Sequence, residues 1–348
     1  MVPPGWIFSV LASSLLALDS NTINSPPSSS ATITGLYRYA VKGLSGDSLK
    51  QVHISQAYDT FPDDRRFALL YDKNVPKWQD MLSAKKEWLH KENFLCAFTN
   101  PELMARYEAS YQLLLQQSSS SSKAESYGVP SDNIVGKEHT AATRRLLSLR
   151  DRTSQASVFG PEDLATEHGQ TALADFFSQQ SGLAVQCITA DGHARQKHQF
   201  GNTSSRWKQQ RKDTRTIHLI NANTVQQVAE KCQIPTLHPT RFRPNIVVEG
   251  WEPWAEFDWI GKTLKVHSSS SSSNKNTKED PIRLSVLAKT VRCDGVSVDP
   301  LDPGVVLDVP KLLTQHFPEH GPYLGIYATI DDPGVLSLGD QVMLSLDE

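Results

Sequence analysis

Two short stretches of this chain carry residue types suited to chemistry. One is Arg292-Cys293; the other, about fifty residues upstream, is Arg241-Phe242-Arg243-Pro244-Asn245. A thiolate is a natural ligand for a soft or high-valent metal, and a guanidinium grips a phosphate at two points. The other three cysteines, Cys96, Cys187 and Cys232, lie far apart with no Cys-x-x-Cys pair. That spacing argues against a zinc site, a thioredoxin-like motif or a disulfide scaffold, and favours reduced thiols in an intracellular compartment. Each sits in or beside an apolar run and reads as a packing residue. His218 lies in an apolar strand and reads as a satisfied core histidine, while His193 and His198 lack a third ligand at metal spacing. The chain has no Gly-x-Gly-x-x-Gly, P-loop or Gly-x-Ser-x-Gly sequence to support nucleotide or serine-hydrolase chemistry.

These residues need a scaffold, and 348 residues are enough for two domains. Hydrophobic content of 39% and charged content of 21% suit a globular protein. A net charge of −3 offers no general footprint for nucleic acid, so any anion site must be local. Trp6 to Leu18 is apolar but shorter than the roughly 20 residues of a membrane-spanning helix. No Lys or Arg precedes Arg38, which removes the charged n-region of a signal peptide and excludes an Arg-rich transit peptide. A disordered or loosely associated tail and a signal or membrane anchor both stay open for residues 1–31, as do cytoplasmic and mitochondrial locations.

Asn21 to Ala31 is a linker by composition, and Ser118 to Ser122 and Ser268 to Ser273 are tracts that bury no apolar area. β-Formers mark strands at Thr32 to Val41, Val52 to Ser55 and Phe67 to Tyr71, with a hairpin-like turn at Asp72-Lys73-Asn74. Helical spacing appears over Lys77 to His90, Pro161 to Gln179, Thr224 to Lys231 and Val309 to His316, and Asn100-Pro101-Glu102 resembles a helix start. From Thr214 onward short β-rich runs recur at Ile217–Ile220, Ile246–Glu249, Leu264–Val266, Leu284–Lys289, Tyr323–Thr329 and Val342–Leu346, a pattern that suggests a mostly antiparallel barrel. The second serine tract falls between two of these runs and reads as an expanded hairpin loop. The expected fold class is mainly β with some α (α+β). A β-rich N-terminal region over 32–150 and a helical connection over 151–213 precede a barrel over 214–347, with its serine-rich loop at 268–280.

Five pieces of the chain, in order, resemble the MOSC family of molybdenum-cofactor-related domains, found in cofactor sulfurases and amidoxime-reducing proteins. Tyr39-Ala40-Val41-Lys42-Gly43 is similar to a Tyr-Pro-Val-Lys-Ser segment, and Asp64-Arg65-Arg66-Phe67 to an Asp-Arg-Arg-Trp turn. Arg241 to Val248 matches a Phe-Arg-Pro-Asn-Ile-Val block, followed by Pro253 to Trp259. Tyr323 to Leu344 resembles the closing barrel strands, and Arg292-Cys293 precedes Val298-Asp299-Pro300 as it should. The chain departs from the pattern in several places. Thr290 stands where some members have a second thiol, Gly43 replaces a hydroxyl residue, and the segment Val298 to Gly304 is one residue longer. Neither a pyridoxal-phosphate sulfurase domain before the barrel nor an iron–sulfur domain after it is expected.

The resemblance implies the molybdenum cofactor (molybdopterin), with Cys293 as catalytic residue and molybdenum ligand. It implies Arg65 and Arg243 as phosphate clamps, Lys42 as a mobile charge and Asn245 as reader of a pterin edge. Without it, buried cysteines usually pack and lone arginines are usually solvated. Glu252, Glu256 and Asp258 read as turn caps, with lining of the cofactor pocket as the alternative. The implied function is reduction of N-hydroxylated small molecules with electrons from a cytochrome b5 and its reductase. The alternative is a sulfur-carrier or cofactor-delivery module.

Overall fold

The computed structural model describes residues 30–83, 89–115, 143–190, 200, 215–269 and 280–345. Seven strands close into a barrel. In order around the wall they are Ser30–Arg38, Ile246–Glu249, Ile217–Asn221, Tyr323–Ile330, Ile282–Val291, Thr263–His267 and Gln341–Leu344, which pairs back onto Ser30–Arg38. The wall is antiparallel except where Ile217–Asn221 runs parallel to Ile246–Glu249. A parallel pair needs a crossover, and the helix Ala222–Lys231 supplies it. Residues two apart point to the same face of a strand. Accordingly Ile217 and Leu219, Leu264 and Val266, and Leu324 and Ile326 enter one buried core. The mainly β fold with some α is therefore the observed one.

A second lobe is inserted between the first and second wall strands along the chain. Phe67–Tyr71 is the centre of a three-stranded sheet, flanked by Phe94–Leu95 and Val185–Thr189. Tyr107–Leu115, Thr143–Asp151 and Ser157–Asp163 form another three-stranded sheet, covered by the helix Glu167–Ser181. Leu69, Tyr107, Leu149, Leu173 and Phe177 share this lobe's core. Gln51–Ile54 pairs with Gly334–Ser337, and Val52, Ile54 and Leu336 join the barrel core.

Several expectations change. The boundary expected near residue 32 runs through a barrel strand, because Ser30–Arg38 finds both of its neighbours in the barrel wall beyond residue 240. Residues 151–213 are more than a helical connection: Ser157–Asp163 and Val185–Thr189 are strands of the second lobe. Its helix starts at Glu167 rather than Pro161, since the Thr166 side chain caps it by accepting from the Gly169 N–H. Asp72–Asn74 leads as a 3-10 turn into the helix Val75–Ser83, so it closes no hairpin. The Asn100-Pro101 helix start is real but short, over Pro101–Arg106. The strands flanking the second serine tract, Thr263–His267 and Ile282–Val291, do pair as a hairpin. The tail over 1–29, the first serine tract, His193, His198 and Ser270–Ser273 lie outside the described residues. Among the described residues no helix is long and apolar enough to cross a membrane.

Candidate functional site

The turn Asp63-Asp64-Arg65-Arg66 positions the first cation of the site. Asp63 accepts from Tyr111 Oη (2.8 Å), Arg145 Nε (2.9 Å) and Arg66 Nη1 (2.8 Å). Asp64 accepts from the Tyr39 N–H (2.8 Å) and pairs with the Arg65 guanidinium. Arg66 thus turns to Asp63, while Arg65 turns to Asp64. Arg65 sits at φ 53°, and Arg243, which caps the Pro239–Phe242 turn, sits at φ 56°. Left-handed backbone at a non-glycine residue costs on the order of 1–3 kcal/mol and persists where the surroundings fix it. Arg65 Nη2 donates to the Arg243 carbonyl (2.9 Å), while Arg243 Nη1 donates to the carbonyls of Gly43 (3.2 Å) and Leu44 (2.5 Å). The Tyr39 ring lies 4.9 Å from the Arg65 guanidinium and 4.4 Å from that of Arg243, one aromatic support for both.

Lys42, Arg65, Lys91, Arg243 and Arg292 line one cleft together with Cys293, and no carboxylate lines it among the described residues. The Lys42 ammonium has no hydrogen bond or ion pair among those residues; it lies 5.6 Å from the Phe94 ring. Lys91 likewise rests 3.6 Å over Phe98. Burial pushes the Lys42 pKa down, and Arg243, Arg65 and Lys91 push it further. Burial lowers Arg243 and Arg292 to about 10 each. Cations gathered at such cost, without carboxylates to neutralise them, make a site complementary to an anion.

Cys293 and Arg292 follow the strand Ile282–Val291, and Arg292 is held from three sides. Its Nε donates to Leu324 O (3.0 Å), Nη1 to Phe242 O (3.0 Å), and Nη2 lies 2.6 Å from His218 Nε2. The other His218 nitrogen lies 3.4 Å from the Arg243 carbonyl. A guanidinium only donates and a carbonyl only accepts, so Nδ1 carries the proton and Nε2 accepts. Burial, then Arg292 and Arg65, depress the His218 pKa well below its usual value, in keeping with a neutral ring. Gly325, at φ 77°, makes room for that ring: a Cβ there would stand 2.7 Å from His218 Nε2. Gly43, at φ 97°, lets the Lys42 turn approach the opposite wall, where a Cβ would stand 2.7 Å from Cys96 Cα.

The structure therefore brings Lys42, Arg65, Arg243 and Cys293 together. Asn245 is adjacent but does not line the cleft. It is fully buried, accepting from Arg65 Nη1 (3.3 Å) and the His218 N–H (3.1 Å) and donating to Tyr37 O (3.2 Å). It orients the cationic wall instead of presenting an edge to a ligand. Cys96, read as packing, lines the same cleft, as do His218, Thr290 and Tyr327. Thr290 is buried, and its hydroxyl has no partner among the described residues. Lys91 and Cys96 carry no local motif, and only the fold places them here. Cys187 does pack, and burial pushes its thiol up to about 12. Glu256 is buried and accepts from the side chains of Thr224 (Oγ1, 2.9 Å) and Asn221 (Nδ2, 3.3 Å). Glu252 and Asp258 line a different cavity.

Residues 195–343 match the MOSC domain family. The match includes His218, Arg243, Arg292 and Cys293, whereas Lys42, Arg65, Lys91 and Cys96 come from outside it. No curated protein matches the chain in sequence. The crystal structure of the YUAD protein from Bacillus subtilis superposes over 90% of this chain and 95% of that one. The identity is 10% and the TM-score 0.33, a likeness too loose to carry an argument. Residues 195–343, which include Cys293, thus match the MOSC domain, a domain family related to the molybdenum cofactor.

Proposed function

We propose that the cleft binds the molybdenum cofactor and that the protein uses it to reduce N-hydroxylated small molecules, with electrons from an external donor of the cytochrome b5 kind. One observation carries the binding reading: five cations and the Cys293 thiol meet in one cleft with no carboxylate among the described residues. That donor set fits a ligand presenting a phosphate and a thiolate-seeking metal. When bound, the cofactor supplies a two-electron centre. Cys293 is the soft ligand. Arg243 spends one terminal nitrogen on the Gly43 and Leu44 carbonyls, which fixes the fork that faces the phosphate. Arg65 is aimed by Asp64, Asn245 and the Arg243 carbonyl. Lys42 adds a charge on a flexible stem. Neutral His218 holds Arg292 without adding a further charge.

Removing oxygen from an N-hydroxyl group consumes two electrons and two protons and releases water, so the reductase reading requires an electron source. Cys96, a second thiol lining the cleft, favours the other reading, in which Cys293 carries sulfur or the domain delivers cofactor. Molybdenum and pterin analysis of the purified protein, run beside cyanide release of labile sulfur, separates the two. Stoichiometric molybdenum with turnover of an amidoxime supports the reductase; labile sulfur lost in Cys293→Ser, without metal, supports the carrier. Protein that binds neither molybdopterin nor sulfur overturns both.

A further inference from the structure

On the barrel wall the strand Ile282–Val291 separates two cavities. Thr290 and Val291 line the cleft around Cys293, while Lys289 lines a second cavity of about 840 Å3. The cofactor reading does not use this second cavity. It is built largely from Glu252 to Trp259, the segment whose carboxylates were expected to cap turns. Three of its residues, Glu252, Asp258 and Glu319, are exposed carboxylates, and Lys289 is its one cation among the described residues. Its floor is aromatic. Trp254 stacks on His320 at 4.2 Å and 22°, and Phe257 packs against both rings at 5.5 Å.

Lys289 shows what the floor accepts. Its ammonium lies 4.3 Å from the Phe257 ring centroid, and it forms no ion pair with the carboxylates among the described residues. The ring face is thus a better seat for this cation than a screened carboxylate. His320 does not compete for it, because burial lowers its pKa and keeps it neutral.

We propose that this cavity is a binding site for a small organic cation, an alkylammonium or quaternary ammonium group, which takes the Phe257 seat that Lys289 fills in its absence. The carboxylates supply the long-range attraction and the rings the contact. Lysine leaves easily, since its flexible four-carbon stem returns the ammonium to water. The site is independent of cofactor binding.

The test is a titration of the full chain, labelled with 15N-tryptophan, using tetramethylammonium chloride. Sodium chloride at equal ionic strength is the blank, and tert-butanol is the neutral isostere. The Trp254 and Trp259 indole signals, assigned with Trp254→Phe and Trp259→Phe, should shift saturably with tetramethylammonium and not with tert-butanol. Lys289→Ala empties the seat and should tighten binding about fivefold, the scale of a cation–ring contact. Lys73→Ala, the same charge change on the other lobe, should leave it unchanged. Glu319→Gln, at an exposed position that leaves folding intact, should weaken binding about threefold. Equal shifts with tert-butanol, or no tightening in Lys289→Ala beyond Lys73→Ala, would overturn the proposal. A lysine-containing peptide binding more than about tenfold tighter than tetramethylammonium would overturn the small-molecule assignment in favour of a protein segment.

Discussion

Around Cys293, five cations face one another and the polar atoms that fix them are mostly backbone carbonyls. Across the strand Ile282–Val291, three carboxylates ring an aromatic floor on which a single lysine sits. The first set is largely withdrawn from water, so its charges act at short range and depend on angle and reach. The second set is wet, so its charges act weakly and respond to salt. A net charge of −3 predicts neither, because opposite local fields cancel in the sum. The two sides also differ in strain. Arg65 and Arg243 hold left-handed backbone on the cationic side, and Trp254 does so at φ 68° on the acidic side.

The contrast breaks most decisively at Cys293. Cys293→Ser should lose bound molybdenum by more than about tenfold, because a hydroxyl is a harder and poorer ligand. Its melting temperature should stay close to wild type, as Cys293 is only half-buried. Metal content by mass spectrometry, beside a thermal melt, checks this; undiminished metal would remove the ligand assignment.

Next in size is a pH effect behind the acidic cavity. Burial raises the Glu256 pKa from 4.5 to about 7, so the folded protein keeps a proton there that the unfolded chain releases. Stability from this group is full below 4.5 and is lost as pH rises through about 7, a change on the order of 3 kcal/mol. Glu256→Gln should flatten the denaturation midpoint between those pH values; a slope equal to wild type would show that water reaches the carboxyl.

Arg243→Lys keeps the charge and removes the fork, so it asks whether the cationic cleft works by geometry. Losing one charge-assisted hydrogen bond, worth roughly 1.5–3 kcal/mol, should weaken cofactor retention about tenfold or more. Arg66→Ala is the comparison, since Arg66 serves Asp63 and does not line the cleft. Cofactor remaining after gel filtration ranks the two; retention by the lysine variant with loss in Arg66→Ala would reverse the assignment.

The smallest effect concerns the second serine tract. Deleting Ser270 to Ser273 leaves the bond from the Ser269 N–H to Asp340 Oδ1 (2.9 Å) in place and only shortens a hairpin connection. Loop closure changes by about 0.6 kcal/mol per doubling of length, so the melting temperature and cofactor content should both hold. A large drop in either would mean that the tract packs on the barrel.

The barrel strands were legible because each alternates or runs apolar between turn residues, and residues such as Leu284, Val286 and Ile326 admit one inward face. The partners of Ser30–Arg38 were not legible, since pairing with Val248 and Met343 is a long-range fact that local pattern does not encode. The site divides in the same way. Arg243 and Cys293 stand in recognisable strings, and both line the cleft. Lys91 and Cys96 belong to a turn whose local composition is ordinary, and they become site residues only through the packing of the second lobe. His218 was expected to be a core histidine. It is buried, yet it also lines the cleft, because a strand at a cavity rim can serve both roles.

The closure of the barrel by its earliest strand sets an order of events during synthesis. Ser30–Arg38 leaves the ribosome first, but one neighbour is Ile246–Glu249 and the other is Gln341–Leu344. About 300 residues must follow before the second edge is covered, which at roughly 5–20 residues per second is on the order of 15–60 s. Through that interval the strand carries open hydrogen-bonding edges able to pair with a neighbouring chain. The second lobe, complete by Thr189, can fold in the meantime. The yield of soluble protein should therefore depend on translation speed and chaperone supply more than on the stability of the finished barrel.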